Sequence, residues 1–237
     1  MEKSPKINII YEDNHLLVIE KPVGIPVQAD SSNAIDLITL LKEYRIKNEN
    51  KKGDAYIGLV HRLDRPVGGI MVFAKTSKAA SRLSDEIRKN NFHKTYYAVV
   101  EGTLPKEGKF EDYLIKNEKE NISYVSTKEK GKYSCLEYTL ISSKNNLSLV
   151  KINLITGRSH QIRVQFSSRH HPLVGDSKYG NNPKNIDIAL FAQTLTFTHP
   201  TTKEVLTFNL DLPNKYPFNI WYEPRFLDKI ETRFLYV

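Results

Sequence analysis

Two short strings concentrate groups capable of chemistry. From His61 to Gly69 the chain reads His-Arg-Leu-Asp-Arg-Pro-Val-Gly-Gly, so that Asp64 stands among three actual or potential cations directly ahead of an apolar run. A carboxylate in that setting either does chemical work, or it caps a turn and pairs with Arg62 or Arg65 in the weak manner of most exposed ion pairs. The second string runs Thr156-Gly157-Arg158-Ser159-His160-Gln161-Ile162-Arg163. It leads a glycine-containing turn into a segment whose His160 and Arg163, three residues apart, share one face of a helix. Unpaired amides at a helix start, next to an arginine and a histidine, suit a phosphate. The same residue types also make an ordinary helix cap.

These strings need elements to hold them. Ile7, Ile9 and Tyr11 alternate with polar positions, Asp13-Asn14 turns the chain, and Leu16 to Ile19 is continuously apolar, which predicts two strands ending at Lys21-Pro22. Ser31, Ser32 and Asn33 are cap candidates ahead of Ile35, Leu37, Ile38, Leu40 and Leu41, which carry helical spacing. Ile70 to Phe73 reads as a buried strand, and Thr76 or Ser77 caps a helix through Arg88. A strand is expected over Tyr96 to Val100, and an antiparallel meander over Phe110 to Leu154 with a turn at Asn145-Asn146. Ser159 is expected to cap a helix from His160 to about Ser168, followed by an ordered loop over Pro172 to Pro183 and a last strand pair at Leu190 to Phe197 and Val205 to Leu210. Many strands with few helices predict an α+β fold with a mixed, largely antiparallel sheet.

Composition narrows the class. The chain has 237 residues, of which 40% are hydrophobic and 26% charged, as in an ordinary folded domain. Lys and Arg number 35 against 27 Asp and Glu, a net charge of +8, which favours a phosphate-backbone partner, although lysine-rich and asparagine-rich segments also arise as neutral surface. Cys135 is the single cysteine, so an intrachain disulfide is impossible and a cysteine-based zinc site is disfavoured. No apolar stretch approaches the roughly 20 residues of a membrane span, so the default expectation is a cytoplasmic protein without membrane attachment.

Taken together, the two strings resemble the signatures of the RluA-type family of RNA pseudouridine synthases. His61 to Thr76, HRLDRPVGGIMVFAKT, resembles the family's H-R-L-D-x-x-T-S-G-L-L-L-F-A-K, and Thr156 to Arg163 resembles its T-G-R-x-H-Q-I-R-x-H. Glu12-Asp13 with Leu16 to Gly24 is similar to D-x-x-L-L-V-x-x-K-P-x-G, Lys94 to Gly102 to K-x-Y-x-A-x-V-x-G, and Gly175-Asp176 through Tyr179-Gly180 to G-D-x-x-Y-G. The resemblance runs from about residue 10 to Pro213. Departures are Val67-Gly68 in place of Thr-Ser, Gln165 in place of the final His, and Phe191 within the family's L-H-A.

The resemblance implies a pseudouridine synthase catalytic fold of two abutting subdomains with a central RNA cleft. It implies a single catalytic domain over 1–237, with no N-terminal S4-like RNA-binding domain, acting as a monomer on a ribosomal or transfer RNA stem-loop and using no cofactor and no metal. Asp64 is then the essential carboxylate, acting as nucleophile or as base on the sugar. Arg163 is its ion-pair partner, Tyr96 stacks on the uracil or handles its proton, and Ile162 is an apolar contact. Arg62 either fills the space left by a flipped nucleotide or binds a phosphate, and Arg65, Lys94, Arg158 and His160 are candidate backbone contacts. Two rivals remain. One is a metal-dependent hydrolase built on His160, His170, His171 and Asp176, which the adjacency of His170 and His171 and the lack of an H-E-x-x-H pair oppose. The other is an RNA-binding scaffold without catalysis, which the set Asp64, Tyr96 and Arg163 opposes.

Overall fold

A computed structural model describes residues 7–222 apart from 31, 33, 51 and 182–185. Among the described residues it holds β1 (Asn8–Glu12), β2 (Leu16–Lys21), α1 (Leu37–Asn48), β3 (Gly58–Leu59), β4 (Gly68–Ala74), α2 (Ser77–Arg88) and β5 (His93–Glu101). These are followed by β6 (Glu107–Asn117), β7 (Ile122–Ser126), β8 (Lys132–Lys144), β9 (Leu147–Leu154), α3 (Gln161–Ser167), β10 (Leu190–Thr198), β11 (Val205–Asn209) and a short 3-10 helix, Phe218–Trp221. The expected α+β fold with a mixed sheet is present. The described residues divide into two compact units: those within 7–96, 153–155 and 192–210 form the first, and those within 97–152, 156–191 and 211–222 the second.

In the first unit the strand order is β1-β2-β4-β10-β11, with β3 on β4. The β1–β2, β2–β4, β3–β4 and β10–β11 pairings are antiparallel. Register places Leu16 opposite Ala74 and Val18 opposite Val72. One face therefore carries Leu16, Val18, Ile70, Val72, Ala74, Leu195 and Phe197, and α2 covers it with Ala79 and Leu83. Leu17, Ile19, Met71 and Phe73 alternate with that set and are fully buried as well. Burial on both faces is why β2 and β4 read as unbroken apolar runs instead of alternating ones. Thr76 caps α2 by accepting from the amide of Ala79, as expected.

The start of α1 differs from expectation. Asp36 is the cap, accepting from both the amide and the hydroxyl of Thr39. The amides of Leu37 and Ile38 donate to the carbonyls of Pro26 and Val27, so the helix begins where the preceding loop can accept its first donors. Of the three expected caps, Ser31 and Asn33 lie outside the described residues, and Ser32 bonds Asp30 instead.

The second unit has the order β5-β9-β8-β6-β7. The expected meander is corrected here, because β6 pairs antiparallel with both β7 and β8 and so lies between them. The β8–β9 hairpin keeps its expected turn: Asn145 and Asn146 both have positive φ, 56° and 58°, as a two-residue hairpin matching strand twist requires. Phe166 of α3 packs against Phe110 and Tyr138, with ring centroids 5.0 and 5.6 Å away. Gly108 makes room for that cluster, since a Cβ there would stand 2.5 Å from the Tyr138 ring. No helix among the described residues is long and apolar enough to cross a membrane.

Candidate active site

In the first unit, the loop between β3 and β4 carries Asp64 and is held from three sides. Lys21, at the end of β2, is 1% exposed, and its ammonium donates to the carbonyls of Pro22, Arg65 and Val67 at 2.9, 3.0 and 2.8 Å. The three N–H donors of the ammonium thus each meet a backbone carbonyl, that of Arg65 being shared with the Gly24 amide. Burial pulls the Lys21 pKa down to about 8, while the neighbouring Asp64 charge pulls it upward. His61, also buried, accepts from the amide of Val72 at 3.1 Å and sets its ring edge-on to Phe92. Burial, and then the charge of Lys94, hold His61 down to about 3, so it is a neutral anchor at working pH. Gly69 supplies the third hold. Its φ is +124°, and a Cβ there would stand 2.2 Å from the carbonyl oxygen of Ala192, so β4 can lie against β10 at that point only with glycine.

Between these anchors Asp64 is half-buried and Arg62 exposed. Among the described residues Arg62 has no hydrogen-bonding or ionic partner. Arg65 is instead tied into the fold: Nε donates to Gly24, Nη1 to Ser32, and Asp30 lies 3.6 Å away. Tyr96, on β5, is 4% exposed. Burial first, and the Asp64 charge second, raise its pKa well above the usual phenol value, so Tyr96 is a protonated phenol near Asp64 at neutral pH. Lys94 is half-buried with its ammonium 5.9 Å over the Phe92 ring, and burial lowers its pKa.

In the second unit, the Thr156 to Arg163 string folds around Gln161. The Gln161 side-chain oxygen accepts from the Thr156 hydroxyl and the Arg158 amide, and its nitrogen donates to Cys135. The expected helix start is corrected by one residue. His160 stands at the cap in left-handed conformation, φ 53°, without a side-chain cap bond, and α3 begins at Gln161. The cap role expected of Ser159 is absent because the Gln161 amide that it would have served donates instead to the Arg158 carbonyl. His160, a candidate contact to the RNA backbone, is buried, with Nδ1 2.7 Å from the Tyr179 hydroxyl. Arg158 is exposed, with Nε donating to Tyr133. Ile162 is buried in α3.

Arg163 is 3% exposed, and its Nε and Nη2 donate to the two carboxylate oxygens of Asp176 at 2.8 and 2.7 Å. Asp176 also accepts from the amides of Lys178 and Tyr179. Burial opposes its charge, but the Arg163 hydrogen bonds and charge together with those amides outweigh it and lower the pKa. The Tyr179 ring lies 5.1 Å from the Arg163 guanidinium. The departure at Gln165 has a local role: its amide donates to Phe110 and to Asp112, which also pairs with Arg169. No group of three or more His, Cys, Asp or Glu among the described residues is placed to hold a metal, and Asp176 of the hydrolase reading is committed to Arg163.

Sequence reasoning named Asp64, Tyr96 and Arg163 but gave Lys21 and Asp176 no role beyond their place in family motifs, save Asp176 as a metal ligand in the rival hydrolase reading. A lysine closing an otherwise apolar strand was the available signal for the first. Lys21→Met should lower stability by about 1–3 kcal/mol in urea unfolding, because three carbonyls each lose a donor, with the Gly24 amide left on that of Arg65. Between about pH 8 and 10.5 the unfolded state retains a proton that folded Lys21 releases, so this group's contribution to stability rises with pH in the wild type. That rise should be missing from the variant.

Comparison with known proteins supplies an independent finding. The family described as RNA pseudouridylate synthase matches residues 15–168. An uncharacterised RNA pseudouridine synthase of Bacillus subtilis is 33% identical over 213 residues, covering 88% of this chain and 69% of its own length. The ribosomal large subunit pseudouridine synthase D of Zymomonas mobilis is 32% identical over 221 residues, covering 87% and 69%. Human RNA pseudouridylate synthase domain containing 4 shares the fold, with a TM-score of 0.73 at 22% identity over 94% of this chain and 93% of its own.

Proposed function

The chain belongs to the RNA pseudouridylate synthase family, an isomerase class, and from that premise we propose that it converts specific uridines of ribosomal or transfer RNA to pseudouridine, with Asp64 as the essential carboxylate. The observation that carries the assignment is the half-buried Asp64 on a loop anchored by Lys21, His61 and Gly69, close enough to the buried Tyr96 to raise its pKa. Relatives named for the large ribosomal subunit favour ribosomal RNA as the target.

The reaction breaks the N1–C1′ bond of uridine, turns the uracil and joins C5 to C1′. C5 loses a proton and N1 gains one, so the change is redox-neutral and water is neither added nor lost. Asp64 serves as nucleophile at C1′ or as base on the sugar. A base stacked in a helix cannot reach it, so the target nucleotide flips out, with unstacking offset by contacts in the pocket. Arg62, exposed and without a partner among the described residues, suits the vacated space or a flanking phosphate. Tyr96, held protonated, offers a ring face and a hydroxyl donor to the uracil. Arg163 stabilises negative charge in the reaction, Ile162 gives apolar contact, and Arg158 is the exposed candidate for the RNA backbone.

Mapping pseudouridine across total RNA from cells with and without the protein tests the reading. One or a few ribosomal or transfer RNA positions should lose the modification and regain it with the wild-type gene but not with Asp64→Asn. An unchanged map would overturn the assignment.

A further inference from the structure

We infer that Asp176 is a positioning residue for Arg163: it grips one edge of the guanidinium at two points and fixes the direction in which the arginine's charge is presented during uridine isomerisation. The inference rests on the function proposed above.

The geometry separates this pair from an ordinary ion pair. Asp176 uses both oxygens on Arg163, Oδ2 on Nε and Oδ1 on Nη2, and its side chain is fully buried while that of Arg163 is 3% exposed. The Arg169–Asp112 pair in the same unit is 31% and 12% exposed, and its guanidinium lies 4.2 Å over Phe110, an arrangement that serves packing. Asp176 is itself immobilised. Gly175 precedes it at φ +78°, with no room for a Cβ beside the carbonyl of Asp187, and the amides of Lys178 and Tyr179 donate to Oδ1. Tyr179 closes the remaining side, with its ring near the guanidinium and its hydroxyl held by the Ser123 amide and His160 Nδ1. A buried pair seldom repays its desolvation in stability alone. A two-point clamp does give a fixed direction to a side chain that otherwise has many rotamers.

Asp176→Asn is the discriminating variant. The amide oxygen at the Oδ1 position still accepts from Lys178, Tyr179 and Nη2 of Arg163, but the NH2 group in place of Oδ2 faces the Nε–H, so the turn survives and the two-point clamp does not. With RNA carrying 5-tritiated uridine, made in cells lacking the protein, tritium released from C5 measures the single-turnover rate, and filter binding measures affinity. The Asp176→Asn rate should fall about 100-fold, the scale of an ångström-level misplacement, with RNA affinity near wild type. Arg163→Lys, which keeps a buried charge and loses the fork, should show a similar loss. Adding Asp176→Asn to Arg163→Lys should cost little more, because both remove the same hold. Multiplicative losses in the double variant, a wild-type rate in Arg163→Lys, or affinity falling in step with rate would each overturn the inference. Absence of tritium release from the wild-type protein on any RNA would instead overturn the assigned reaction, and the inference with it.

Discussion

The Asp64→Asn protein is expected to fold, to bind substrate RNA with near wild-type affinity and to form no pseudouridine. The loop that carries residue 64 is anchored by the Lys21 ammonium, the His61 ring and the Gly69–Ala192 approach, each of which acts on backbone groups. The amide matches the carboxylate in shape but lacks its charge and basicity. The rate should therefore drop by at least about 10⁴-fold, as when a nucleophile or its base is removed elsewhere. A second readout is independent of turnover. Because the Asp64 charge contributes to the raised pKa of Tyr96 after burial, the variant's phenol should ionise at somewhat lower pH in an ultraviolet titration while staying above the ordinary tyrosine value. Substantial residual isomerisation would remove Asp64 from the centre of the reaction.

Arg163→Ala is expected to affect stability as well as rate, a consequence that follows from Asp176. Truncation leaves a fully buried carboxylate with two backbone amides and no cation. Breaking one side of a buried pair in this way costs about 3–5 kcal/mol. The pH dependence has a definite sign. In the wild type the Asp176 pKa is lowered, so its contribution is present above the unfolded carboxylate value of about 3.9 and is lost as pH falls through the folded value. In the variant, protonation of Asp176 relieves the buried charge. The stability gap between the two proteins should be widest near neutrality and should narrow toward pH 4. Urea unfolding over that range measures it, and a gap independent of pH would show that the cost of truncation is packing alone.

How much of this was visible in the residue string depended on range. Local chemistry was legible: paired asparagines made the β8–β9 turn, Thr76 capped α2, and runs buried on both faces made β2 and β4. The Asp64 string stood out because four charged or titratable residues cluster there. What escaped were roles defined by partners far along the chain. Lys21 acquires meaning from carbonyls 44 and 46 residues away, and Asp176 from an arginine 13 residues earlier. The α1 cap moved to Asp36 because carbonyls at Pro26 and Val27 accept the first helical amides. Pairing of β6 with both β7 and β8 defeated a reading that joined neighbours in order.

The discontinuity of the first unit bears on how the protein comes off the ribosome. Its apolar face includes Leu195 and Phe197, supplied by β10 more than a hundred residues after the other strands on that face, β2 and β4, have been made. A nascent chain that has emerged as far as β5 therefore still has one flank of β4 uncovered beyond its short pairing with β3 at Phe73 and Ala74, an open edge able to pair with other chains. Contacts of such sequence separation form late and slowly, and they leave apolar surface exposed during synthesis. Premature termination anywhere before β10 leaves Asp64 encoded and translated but without the strand against which Gly69 is fitted, so truncated products become clients of chaperones and proteases instead of weak enzymes.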